Sequence, residues 1–302
     1  MSELTRRVLF AVAAAPIGIW IVLVGGGPLA ALLAVTSALA AWEFFRIAHA
    51  SGATPLSDFG TALAGLLPLA VHAHFLGLYT VQHSHAAIVL LVLLAVTIWA
   101  RGVSGRPLTA AAATVLGVLY TGGLLSFGYS LRYHDTVRFY DSVPGGVGPQ
   151  LAGVNVTPGG MLLLMPVLLT WASDIGAFFV GRAIGGPKLI PAVSPSKTVA
   201  GAIGGLAASI LVAWLAARLL LRPVAQLAFA PPLGTVIFGA MISVAAQVGD
   251  LFESLLKREA GVKDSSTLIP GHGGVLDRFD SLLFTLPTAQ VLADWLLIPA
   301  PR

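Results

Sequence analysis

The sequence predicts an all-α integral membrane protein with about nine transmembrane helices and a cytoplasmic N-terminus. Three observations carry that prediction. The 302 residues are 57% hydrophobic, with a mean hydropathy of +0.89. Only 10% are charged, against roughly 25% in an ordinary soluble domain. Apolar runs of about 18 residues or more recur along the chain, long enough to cross a hydrocarbon core as helix. Length alone would accommodate two soluble domains, but no polar stretch is long enough to fold as one.

The spans are expected at 8–24, 28–48, 60–80, 85–100, 108–130, 160–181, 199–221, 232–256 and 279–298. Arg6 and Arg7 ahead of the first run have the form of a signal peptide, but the many later spans favour a retained first helix. Connections are short except 132–158, which is rich in Gly and Pro. With the N-terminus inside, twelve of the 17 Lys and Arg fall on the cytoplasmic side and five outside, as the positive-inside rule requires. Two parts follow. Residues 1–158 form about five spans and a long outward loop. Residues 159–302 form a catalytic region of about four spans, with cytoplasmic loops at 182–198 and 257–278.

No cysteine is present, which excludes disulfides and thiolate metal sites. There is no sequence repeat and no low-complexity tail. The scarce charges concentrate between Ser254 and Asp280, where Lys257, Arg258, Lys263, Asp264, Asp277, Arg278 and Asp280 surround His272 and the pair Gly273-Gly274. Acids inside apolar spans are costly and therefore candidates for function. Glu43, three residues before Arg46, suits a structural ion pair on one helix face. Asp294, near the outer end of the last span, is expected to have no function. Asp174 suits either a polar contact between helices or a site. Asp250, Ser254 and Lys257 share one helix face, with Glu253 beside it.

Asp277 and Asp280, three apart where the last helix begins, suit either a helix N-terminus or one divalent cation. Oxygen ligands without Cys point to Mg²⁺, which takes one or two carboxylates and leaves other positions to water and phosphates. Asp250 and Asp277 would supply such a site if their helices pack side by side. The Lys and Arg residues suit a polyanion, and Gly271 to Gly274 offer backbone N–H groups at close approach. Upstream, Ser194-Pro195-Ser196-Lys197-Thr198 precedes a span. Its hydroxyls suit a helix cap or a phosphate grip, although the Walker A spacing is absent.

These residues together resemble the signature of the phosphatidate cytidylyltransferases, also called CDP-diacylglycerol synthases. The match runs through Ser254-x-x-Lys257-Arg258, Lys263-Asp264 and Pro270-x-His272-Gly273-Gly274-x-x-Asp277-Arg278-x-Asp280. Asp174 through Gly181-Arg182 and the Ser194-to-Thr198 block are similar to upstream parts of the family, so the resemblance covers about 170–285. The N-terminal half is similar in hydropathy and in Glu43-Phe44-Phe45-Arg46. Ala200 stands where the family usually has Glu, and the 132–158 loop is longer than usual.

The resemblance implies a Mg²⁺-dependent reaction in which phosphatidic acid and CTP give CDP-diacylglycerol and pyrophosphate. It implies Asp250 and Asp277 as metal ligands with Asp280 as helper. Lys257, Arg258, Lys263, Asp264, His272 and Arg278 are then the expected catalytic residues. Ser194, Lys197, Thr198, Gly273 and Gly274 are the expected substrate-binding residues. The expected location is a bacterial inner (plasma) membrane with the active site facing the cytoplasm. No nucleic-acid partner is expected, and a symmetric homodimer would complete the odd shape of nine spans.

Other classes make different predictions. A CTP-dependent polyprenol kinase would move the γ-phosphate and release CDP. A secondary transporter would carry its charges near mid-membrane and often shows repeats. A structural protein with a basic patch for anionic lipids leaves Asp250 and Asp277 without a role.

Overall fold

A backbone in hydrocarbon must satisfy its own N–H and C=O groups, so this composition dictates helix. The computed structural model describes residues 3–137, 150–151, 153–269, 271 and 273–300, with backbone alone at 3–11, 13 and 150–151. Each expected apolar stretch is mainly helical, although the third helix ends at Phe75 rather than 80 and the last at Leu296 rather than 298. The helices are α1 (Glu3–Val24), α2 (Gly26–Ala50), α3 (Ser57–Phe75), α4 (His83–Arg101), α5 (Pro107–Val118), α6 (Leu124–Arg132), α7 (Pro158–Ile184), α8 (Val199–Ala216), α9 (Arg222–Ala225), α10 (Gly234–Glu259) and α11 (Leu276–Leu296). A π turn at Leu119–Gly123 joins α5 to α6, and another at Ala217–Leu221 joins α8 to α9.

Among the described residues, 6 helical stretches are long and apolar enough to cross a membrane: Gly26–Ala50, His83–Arg101, Pro107–Val137, Pro158–Ile184, Val199–Ala225 and Gly234–Glu259. The chain is an integral membrane protein. The three remaining helices are more polar or less fully described. In α11, Asp277, Arg278, Asp280 and Asp294 dilute the apolar run, and in α3 Asp58, His72 and His74 do so. In α1 only Ala14–Val24 registers as a short apolar helix.

Three short antiparallel pairs interrupt the helical plan: β1 (Gln150–Leu151) with β2 (Val154–Asn155), β3 (Lys188–Ile190) with β4 (Ser194–Thr198), and β5 (Leu227–Phe229) with β6 (Leu297–Pro299). The 182–198 loop thus contains a hairpin, with Lys188 opposite Thr198 and Ile190 opposite Ser194.

The chain divides into two compact units that interleave along the sequence. The first is built from Gly26–Tyr129 and Leu256–Phe279, and the second from Val12–Gly25, Ser130–Leu255 and the chain from Asp280. In the first, α2 packs on α3. Phe45, 1% exposed, lies against Gly60 and Gly117, where a Cβ would collide with its ring.

In the second unit, α7 and α8 pack along a stripe of small residues. Gly176 faces Ala208 and Gly204, and Gly201 faces the Ala177 carbonyl. Backbones approach this closely in membranes where side chains are small. Buried hydroxyls complete the core. Ser173 Oγ lies 2.8 Å from Ser243 Oγ, and Ser209 Oγ donates to the Gly239 carbonyl at 2.8 Å. Asp294 lies 2.8 Å from the His134 ring nitrogen in this unit.

Candidate active site

Several of the expected site residues fall into two polar clusters, one in each compact unit. The cluster in the first unit begins with the sequence after α10. Gly261, at φ +68, ends that helix, because its backbone occupies the left-handed region where a side chain is strained. The chain then runs through Lys263, Asp264, Ser265 and Ser266 to an isolated bridge between Ile269 and Gly273, and enters α11 at Leu276. Amides at a helix start lack partners inside the helix and need acceptors. Two buried carboxylates supply acceptors to this stretch, Glu43 for the first amides of α11 and Asp277 for the loop ahead of it.

Asp277 is one of these acceptors. Its Oδ1 takes a hydrogen bond from Lys257 Nζ at 2.7 Å. Its Oδ2 accepts from Ser265 N at 3.0 Å, Ser265 Oγ at 2.9 Å and Gly274 N at 2.7 Å. The side chains of Lys257 and Asp277 are 12% and 5% exposed. This burial makes the pair a strong geometric constraint, since either charge without the other would be costly.

Glu43 of α2 is the second acceptor, and its residue is 0% exposed. Oε1 accepts from Ser266 Oγ at 2.5 Å and Val275 N at 2.9 Å, and Oε2 accepts from Ser265 Oγ at 2.8 Å and Leu276 N at 2.6 Å. The expected pairing with Arg46 is corrected. The Glu43 carboxylate turns into the loop, whereas the Arg46 guanidinium stacks over the Trp42 ring at 4.9 Å. Both belong to one helix, but Arg46 is on its exposed side and Glu43 on its buried side.

The glycine pair has a clear geometric reason. Gly273 has φ +81, and a Cβ there would crowd Asp277 Oδ2. A Cβ on Gly274 would occupy the place of Ser265 Oγ and the Glu43 carboxylate. Arg258, Lys263, Asp264 and Arg278 are on the exposed side of this cluster. His272 lies outside the described residues.

The second unit holds an open pocket of about 550 Å³. Asp174, Arg182, Lys188, Ser196, Lys197, Thr198, Gln247 and Asp250 supply its polar lining, and Ala177, Phe178, Leu189 and Ala202 much of its apolar wall. The β3–β4 hairpin brings Lys188, Ser196 and Lys197 to this pocket, and α7 and α10 bring the two acids. Lys197 Nζ is 2.5 Å from Asp250 Oδ2, with side chains 26% and 35% exposed. Ser254 Oγ makes a long 3.4 Å contact to Asp250 Oδ1. Thr198 Oγ1 accepts from Gly201 N at 3.0 Å and so caps α8.

Ser194 sits in the hairpin opposite Ile190, and the pocket lining does not include it. Asp280, at the start of the second unit's share of α11, accepts from Ser281 N at 2.5 Å. Among the described residues, no group of three or more His, Asp or Glu side chains is gathered as for a metal ion.

Sequence reasoning passed over Gln247, Ser265 and Ser266. Gln247 gave no signal, being one amide in an apolar helix. It donates to the Ala202 carbonyl at 3.2 Å and to Ser243 Oγ at 3.0 Å. Ser265 and Ser266 directly follow Lys263-Asp264 and were legible only as neighbours of a charged stretch.

Comparison with known proteins identifies the family. Residues 5–296 match the cytidylyltransferase family. The phosphatidate cytidylyltransferase of Synechocystis sp. is 31% identical over 308 aligned positions, covering 97% of each chain. That of Brucella suis is 48% identical over 115 residues, 38% of this chain and 40% of its own. That of Bacillus subtilis is 45% identical over 120 residues, 40% and 42% of the two chains.

Proposed function

Because the chain belongs to the cytidylyltransferase family, we propose that it transfers the cytidylyl group of CTP to phosphatidic acid, giving CDP-diacylglycerol and pyrophosphate. The observation that carries this reading is the pocket that gathers Arg182, Lys188 and Lys197 beside Asp174 and Asp250 in a chain with few charges. Cations presented by a hairpin suit the phosphates of a nucleotide. The apolar wall formed by Phe178 and Leu189 suits the glycerolipid that must meet it.

The chemistry asks little of a general base, since the lipid phosphate already carries the attacking oxygen. That oxygen attacks the α-phosphorus of CTP in line. A P–O bond forms there as the bond to the β-phosphate oxygen breaks, and the electron pair leaves on pyrophosphate. Catalysis is then positioning and charge neutralisation. In this reading Ser194, Lys197 and Thr198 grip one substrate, and His272, Gly273 and Gly274 shape the loop. Lys257, Arg258, Lys263 and Arg278 offset phosphate charge, and Asp264 stands among them as a further candidate catalytic residue.

Mg²⁺ would neutralise charge on the nucleotide phosphates when bound. Asp250 fits it, as an oxygen donor beside a second carboxylate, Asp174, in an open pocket. Asp280 is its proposed helper, and Asp277 would join it only by giving up hydrogen bonds that it accepts from Lys257, Ser265 and Gly274. Nine spans, a cytoplasmic site at a bacterial inner membrane and a homodimer complete the proposal.

The test is a product assay with purified protein, phosphatidic acid, Mg²⁺ and CTP labelled at the α or the γ position. The α label is expected in lipid and the γ label in pyrophosphate. The γ label in lipid, with CDP released, would make the protein a kinase instead. No label in lipid from folded protein, together with nucleotide-independent substrate uptake into sealed vesicles, would favour a transporter.

A further inference from the structure

We propose that Glu43 is a positioning residue of the reaction. From α2, its carboxylate fixes Ser265, Ser266, Val275 and Leu276 and, through Ser265, the placement of Asp277 and Lys257. The proposal rests on the transfer reading above only for its activity readout.

Four donors from one segment converge on this single side chain: Ser265 Oγ, Ser266 Oγ, Val275 N and Leu276 N. They lie more than 220 residues away in sequence, at separations of 222 to 233. A carboxylate that is 0% exposed would be costly without such partners. The donors offset that cost, and the two amides at the start of α11 add the favourable end of the helix dipole. An apolar residue at position 43 would leave those buried donors unmet.

The link to Asp277 runs through Ser265. Its hydroxyl lies 2.8 Å from Glu43 Oε2 and 2.9 Å from Asp277 Oδ2, and its single proton is shared between them. Ser265 N also binds Asp277, at 3.0 Å. Moving Glu43 therefore moves Ser265, and moving Ser265 disturbs the carboxylate that holds Lys257. Gly274 has the same logic, since any side chain there would enter the space of Ser265 and Glu43. Cap formation alone would need only the bonds to Val275 and Leu276. The bonds to both serines make Glu43 an anchor for the loop as well as the helix.

The test uses full-length Glu43→Gln in detergent. Gln keeps the size but turns an NH₂ group toward N–H and O–H donors. Hydrogen exchange of peptides spanning 265–276 is expected to speed up about tenfold, with 26–42 unchanged. The turnover number is expected to fall about tenfold, with the KM for CTP within about twofold. In the background of Asp277→Asn, Glu43→Gln is expected to cause no further loss, because both act on one arrangement.

Unchanged exchange, unchanged turnover, or losses that multiply in the double variant would each overturn the proposal. If Glu43→Gln does not fold, Ser266→Ala removes one bond only. Faster exchange confined to 265–276 then supports the anchor, and unchanged exchange contradicts it. If wild-type protein makes no CDP-diacylglycerol, the transfer reading fails while the exchange comparison still decides the anchor.

Discussion

The two polar clusters contain similar residues in opposite states. In the loop cluster, the Asp277 and Glu43 carboxylates are both lined by protein donors, with the Ser265 hydroxyl shared between them. In the pocket cluster, Asp250 has one ion pair and one long contact, Asp174 is exposed, and the lining stays open. A saturated carboxylate holds a shape, whereas an open one is ready for a ligand. The difference teaches that a charged residue's role depends on which donors already fill it, and residue type and spacing do not reveal that.

The sharpest way to break this comparison is Asp250→Asn. It removes an open carboxylate beside Lys197 and should lower turnover by about 100-fold or more with the protein still inserted. The product assay checks it, and near-normal turnover would remove Asp250 from the proposed metal set. Gly274→Ala comes next. Its methyl group enters the space of Ser265 and Glu43, so it should destabilise by about 1–3 kcal/mol and lower turnover, through overpacking of a closed site. Thermal unfolding in detergent, measured beside turnover, checks both effects. Thr198→Ala should be smallest. It loses the cap on α8 and should cost about 1 kcal/mol of stability. If it instead raises the KM for CTP strongly, the hydroxyl serves substrate as well as the helix.

Much of the fold was legible. Hydropathy placed every helical stretch, because lipid demands long apolar runs and the backbone can satisfy itself only as helix there. The span count was less legible, since Asp277, Arg278, Asp280 and Asp294 make α11 ambiguous by composition. In the candidate site, charge scarcity pointed to 254–280 and to Lys197; Lys257 and Asp277 meet in the loop cluster and Lys197 and Asp250 in the pocket, while Arg258, Lys263, Asp264 and Arg278 are exposed. Glu43 was misjudged because its nearest opposite charge in sequence is Arg46, while its donors come from a loop more than 220 residues away. Local spacing governs exposed helix pairs, but a buried carboxylate follows whichever tertiary partners reach it. Gln247 was invisible for a related reason: only the packing of α10 brings it to the pocket.

The most direct measurement of the central claim is hydrogen exchange of the β3–β4 hairpin with and without CTP. With Mg²⁺ present, CTP should slow exchange across 188–198 in wild-type protein and not in Lys197→Ala. Exchange there that ignores CTP, in protein that still makes CDP-diacylglycerol, would contradict the assignment of the open pocket to the nucleotide.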